Sequence, residues 1–116
     1  MKLYGIANCS TVKKARTWLE QHGAEYQFHD FKKHGIAPEL AQAWLKQAGW
    51  EKLINRSGLT WRGLADEQKQ AVRDNASALQ LILEKPSVIK RPLLERNSLL
   101  LHIGFDEATY KKILNL

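Results

Sequence analysis

Gly5-Ile6-Ala7-Asn8-Cys9-Ser10-Thr11-Val12-Lys13-Lys14-Ala15-Arg16 decides how this chain is read, because a short apolar strand ends there in a polar turn and a basic amphipathic helix begins. Lys2 to Ile6 alternates as a first strand. Ser10 or Thr11 is placed to cap a helix that runs to about His22, by accepting a hydrogen bond from a first-turn N–H. Cys9, the one cysteine of the chain, falls just before that helix. Free N–H groups and the positive end of the helix dipole favour a thiolate at such a place, lowering a thiol pKa from about 8.5 to roughly 3.5–7.5. Lys13, Lys14 and Arg16 add positive charge that an inert cysteine does not need. A lone cysteine also serves as a small buried hydrophobe, so the residues alone leave a reactive and an inert thiol both open.

The length, 116 residues, is that of one domain able to bury a core without disulfides. Hydrophobic residues at 44% and charged residues at 26% are ordinary for a globular protein, and no run approaches a membrane span. The chain opens directly into a strand with no export signal, and one cysteine closes no internal disulfide, so a cytoplasmic protein is expected. A formal charge of +6 suggests anionic company. Because Lys and Arg are spread without a block or a nucleic-acid-binding motif, a small anion fits better than nucleic acid. The four histidines show no metal-ligand spacing, and no metal is expected. Trp18, Trp44, Trp50 and Trp61 read as packing residues rather than base-stacking ones.

Past the first helix, His22-Gly23 is a stop and Tyr26 to His29 alternates as a second strand. The connection suits a right-handed crossover, which sets the two strands parallel with Cys9 at the carboxyl end of the first, where open α/β sheets gather ligands. Asp30 to Gly35 reads as a loop. Pro38 then starts a helix with Leu40, Ala41, Trp44, Leu45 and Ala48 on one face, ended by Gly49. Trp50 to Ile54 is a short apolar turn, Asn55 to Gly58 is polar, and Leu59 to Asp66 looks irregular. Glu67 to Arg73 and Ala76 to Glu84 read as helices broken near Asp74-Asn75. Strand character returns at Val88-Ile89 and in Leu93 to Glu95 and Leu99 to Leu101, joined by a hairpin turn at Arg96-Asn97-Ser98. Asp106 caps a last helix with Ala108, Ile113 and Leu114 facing inward. By base rate the Arg91–Pro92 bond is trans.

This order of elements is that of the thioredoxin fold. Tyr4 to Arg16, Leu53-Ile54-Asn55-Arg56, Ile89 to Leu94 and Gly104-Phe105-Asp106-Glu107 together resemble the ArsC/Spx family, and within it the YffB-like branch, over the whole chain. The resemblance implies one α/β domain over residues 1–116: a thioredoxin-like core of about 1–30 and 86–116 with a mixed sheet, and a helical insert of about 37–85 between the second and third strands. It implies a nucleophilic Cys9 faced by Arg56 and Arg91, with Pro92 as a cis-proline against the base rate. Asn8, Ser10, Thr11 and Pro92 are the expected contacts for substrate or glutathione. Guanidinium groups suit this chemistry because they stabilise a thiolate and an oxyanion through paired hydrogen bonds.

Three departures narrow the resemblance. Val12 stands where a dithiol redox helix has its second cysteine, so a resolving thiol must come from outside, with glutathione the abundant candidate. Gly104 falls where arsenate reductases of the family carry a third arginine, for which Arg96 could substitute only if the hairpin points it inward. Gly5 replaces the histidine they carry four residues before the cysteine. The expectation is a monomeric, glutathione-dependent thiol oxidoreductase with no bound cofactor and glutathione as co-substrate, acting on an oxidised thiol or an oxyanion without nucleic-acid or membrane partners. Arsenate reduction is the enzymatic alternative, and an Spx-like regulator that binds RNA polymerase is the alternative that is not an enzyme.

Overall fold

The computed structural model describes residues 1–116. In chain order the elements are β1 (Lys2–Gly5), α1 (Ser10–Gln21), β2 (Gln27–Asp30), α2 (Phe31–His34), α3 (Pro38–Ala48), α4 (Trp50–Leu53), α5 (Leu59–Arg62), α6 (Asp66–Ala71), α7 (Asn75–Glu84), a 3-10 turn (Pro86–Val88), β3 (Leu93–Arg96), β4 (Leu99–Ile103) and α8 (Glu107–Ile113). They form a thioredoxin-like α/β fold with a mixed four-stranded sheet in the order β2-β1-β3-β4. The chain divides into two compact units, Met1–His34 with Arg91–Leu116, and Gly35–Lys90. No helix is long and apolar enough to cross a membrane.

The first unit holds the sheet. β1 runs parallel to β2, with Gly5 opposite Asp30, and antiparallel to β3, with Tyr4 opposite Leu93 and Lys2 opposite Glu95. Successive strand residues point to opposite faces. Leu3 and its partner Leu94 therefore share a face, and they pack with Ala15, Trp18 and Leu19 of α1 and Tyr110 of α8. Tyr110 meets Trp18 and Phe105 edge-on, with ring centroids 5.7 and 4.8 Å apart. The β3–β4 hairpin turns through Asn97 and Ser98 at φ 51° and 65°, two successive left-handed residues of the kind that suits a two-residue hairpin.

The second unit is helical. Pro38 opens α3, and Ala41, Trp44 and Leu45 are buried, whereas Leu40 and Ala48 of the expected face are half-exposed. Gly49 ends the helix at φ 84°, a conformation glycine adopts without a steric penalty. α3 packs on α7, whose first turn is closed by the Asp74 carboxylate accepting the Ser77 N–H at 2.9 Å. Asn75 fastens the pair: its amide donates to the Leu45 carbonyl at 3.2 Å, and its Oδ1 accepts the Trp50 N–H at 3.1 Å.

Several local expectations are corrected. The Asp30 to Gly35 loop contains α2, the irregular stretch from Leu59 contains α5, and Val88 closes a 3-10 turn rather than opening a strand. Ile89 makes only an isolated antiparallel bridge to Ile54. Ala108 is exposed, and Tyr110 is the residue that anchors α8 to the core.

Candidate active site

Cys9 is itself the N-cap of α1. It sits in extended backbone at φ −130° and ψ 125°, with its carbonyl accepting the Lys13 N–H at 2.9 Å. Ser10 is already the first helical residue, so neither Ser10 nor Thr11 caps the helix, and no side-chain hydrogen bond closes the cap. A protonated sulfur is a weak acceptor, whereas a thiolate in the same place is a charged one. Burial is the largest influence on this thiol and pushes its pKa up. The N–H of Val12, the hydrogen bond and charge of Arg91 and the N–H of Thr11 together outweigh it, so the pKa lies below its ordinary value. The flanking basic residues play a smaller part than their number suggests. Lys13 and Lys14 are exposed, and Arg16 turns aside, with Nε donating to the Tyr26 hydroxyl at 3.2 Å and its guanidinium 4.1 Å over the Phe28 ring.

Arg91 reaches the thiol because of strand topology. β3 starts at Leu93 opposite Tyr4, so Arg91 and Pro92 enter the sheet at the end of β1 from which Cys9 leaves. The Arg91–Pro92 peptide bond is cis, as the resemblance implies and the base rate does not. The buried Pro92 carbonyl accepts the Gly104 N–H at 2.7 Å. Gly104 has φ 91°, a left-handed conformation in which an arginine would be strained. Arg96 does not substitute for one. It lies at the far end of β3, donating from Nη2 to the Ile113 carbonyl at 3.5 Å and to the Met1 sulfur at 3.6 Å.

The turn that delivers Cys9 is held by Asp30, a residue whose sequence setting is that of a loop start. One carboxylate oxygen accepts the Ala7 N–H at 3.1 Å, and the other accepts the Lys32 and Lys33 N–H groups at 2.9 and 3.2 Å. A single buried side chain thus caps α2 and fixes the β1–α1 turn. Burial raises its pKa, but the N–H groups of Ala7, Lys33 and Lys32 and the Lys33 charge prevail and hold it below the usual carboxylate range. An aspartate directly before a helical turn is the legible signal for such a cap. Glu95, also buried, accepts the Tyr4 hydroxyl at 3.4 Å, and burial together with the Glu95 charge raises the Tyr4 pKa to about 12.

The remaining expected residues fall in three settings. Asn8 and Ser10 are exposed beside Cys9, and Thr11 is half-buried with its N–H among the groups that favour the thiolate. Arg56 belongs to the helical unit, 3.9 Å from Glu51 and 5.3 Å above the Trp50 ring. Its turn is tied down by the Asn55 N–H donating to the Val88 carbonyl and the Lys90 N–H donating to the Leu53 carbonyl, both at 2.9 Å. The Gly58 N–H closes the turn by donating to the Asn55 carbonyl at 3.2 Å, and a Cβ at Gly58 would stand 2.8 Å from the Asn55 side-chain amide nitrogen.

A profile of the ArsC family matches residues 4–113. A solved YffB protein is 45% identical with a TM-score of 0.89, the match covering 96% of each chain. The solution structure of an arsenate reductase (ArsC) related protein from Brucella melitensis is 48% identical with a TM-score of 0.78, over 99% of this chain and 94% of that one. The global transcriptional regulator Spx 2 of Bacillus cereus is 25% identical over 97% of this chain and 85% of its own length.

Proposed function

From the premise that the chain belongs to the ArsC family, we propose that it is a glutathione-dependent thiol oxidoreductase with Cys9 as its single nucleophile. The observation that carries this reading is the pairing of Cys9 with Arg91 at a helix N-terminus in a chain that has no second cysteine. The Cys9 thiolate attacks one sulfur of an oxidised substrate, the S–S bond breaks, and the departing thiolate takes up a proton. The mixed disulfide left on Cys9 is resolved by glutathione. One glutathione thiolate attacks it, a second completes the exchange, and the substrate gains the two electrons that the two thiols lose in becoming glutathione disulfide. Arg91 holds the thiolate, and Arg56 answers an oxyanion on the substrate. Asn8, Ser10, Thr11 and Pro92 line the approach for glutathione. Glutathione is a co-substrate rather than a resident cofactor, and the protein works as a cytoplasmic monomer.

Arsenate reduction is the second reading, favoured by the 48% identity to the Brucella melitensis protein. Gly104 and Gly5, in the places of the third arginine and the histidine of arsenate reductases, weigh against it. Incubation with glutathione disulfide followed by mass spectrometry tests the first reading. Wild type is expected to gain one glutathione on Cys9 and lose it to reduced glutathione, while Cys9→Ser gains none. A wild-type protein that takes up no glutathione overturns it. Arsenate turnover with glutathione and a glutaredoxin moves the assignment to the second reading.

A further inference from the structure

Gly5, the last residue of β1, lies at the crossing of that strand and the first turn of α1. A Cβ built on it would stand 2.8 Å from Val12 Cγ2, closer than carbon atoms pack, and 3.2 Å from Val12 Cγ1, a tight contact. Val12 is fully buried, and a β-branched residue in a helix holds essentially one χ1 rotamer. With both methyl groups facing Gly5, side-chain rotation leaves one of them in the way. An added methyl group at position 5 therefore forces β1 and the first turn of α1 to shift against each other, because the Val12 side chain has no rotamer that clears it.

The backbone of that turn carries the N–H groups of Thr11 and Val12, both of which favour the Cys9 thiolate, the Val12 N–H more than the Thr11 N–H. We propose that Gly5 is a positioning residue for Cys9: by omitting a side chain it seats Val12 against β1 and so aims the first-turn N–H groups of α1 at the sulfur. The proposal deepens the reading of Cys9 as the nucleophile and rests on it. It also joins two separate departures of the sequence, the missing histidine at position 5 and the missing second cysteine at position 12, because these two positions touch.

The test is a double-mutant cycle read by the pH profile of Cys9 alkylation, with circular dichroism as the check on folding. Gly5 has an ordinary φ, so alanine brings no backbone strain of its own and the contact with Val12 is isolated. Gly5→Ala is expected to move the profile to higher pH, with an alkylation rate at pH 6 about three- to tenfold below wild type. Gly5→Ala/Val12→Ala removes the clashing methyl groups and returns the rate to within about twofold of Val12→Ala alone. A folded Gly5→Ala protein with the wild-type profile overturns the proposal, as does a double variant that stays displaced. If Gly5→Ala fails to fold, the double variant decides in the same way against Val12→Ala. Alkylation does not depend on reductase activity. Coupling without a glutathione adduct therefore sinks the proposed function alone, and an adduct without coupling sinks the positioning role alone.

Discussion

In the unit made of Met1–His34 and Arg91–Leu116, neighbours in space are strangers in sequence: Lys2 lies opposite Glu95, Gly5 opposite Asp30, and Arg91 acts on Cys9. In Gly35–Lys90 the elements themselves are local, helices of 4 to 11 residues, and the Asn75 contacts join α7 to α3 and α4. The contrast shows where thiol chemistry must be built. The Cys9 thiolate is favoured by a helix terminus and a guanidinium that strand pairing brings together. The helical unit instead offers Arg56 on a braced turn, 49% exposed and held only by Glu51 and the Trp50 ring.

The comparison breaks first where the helical unit has its own packing. Trp44 is fully buried, so Trp44→Ala is expected to cost about 3–5 kcal/mol in urea unfolding, and a loss under about 1 kcal/mol would mean that this unit is not close-packed. In the sheet unit, Asp30→Asn weakens the charge-assisted bonds to Ala7, Lys32 and Lys33 and is expected to cost about 1–3 kcal/mol at pH 7. The pH dependence has a definite sign. The folded-state pKa of Asp30 is depressed, so its contribution is full above the unfolded carboxylate value of about 3.9 and is lost as pH falls through the folded value. The gap between wild type and Asp30→Asn therefore closes below about pH 4, and a gap that widens there would show that the carboxylate is not held ionised. Arg56→Ala is the smallest effect, less than about 1 kcal/mol, because an exposed ion pair and one cation–π contact are its partners. A larger loss would make Arg56 a structural brace.

The same contrast explains what could be read beforehand. The Pro38 start of α3, the Asp74 break and the Asp106 cap follow from periodicity and capping chemistry, which act within a few residues, and the parallel pairing of β1 and β2 follows from the handedness of the crossover through α1. The four-residue helices α2, α4 and α5 are shorter than the window in which a helical period shows. Asp30 was legible as a cap but not as a clamp on Ala7, because that hydrogen bond spans 23 residues and exists only once β1 and β2 pair. The cis bond at Pro92 runs against residue statistics and was legible only from the resemblance. Likewise Arg16 looked like part of the thiol's positive setting until its true partners, Tyr26 and Phe28, came from β2 and the segment before it.

The central claim is that Arg91 and the first turn of α1 hold Cys9 as a thiolate, and the pH profile of Cys9 alkylation in wild type and Arg91→Ala tests it directly. With the thiol pKa depressed, reactivity should persist below the ordinary thiol range and fall only as pH drops through the lowered value, and Arg91→Ala should shift that fall upward. A wild-type profile centred at the free-cysteine value, or one that Arg91→Ala leaves unmoved, would contradict the account.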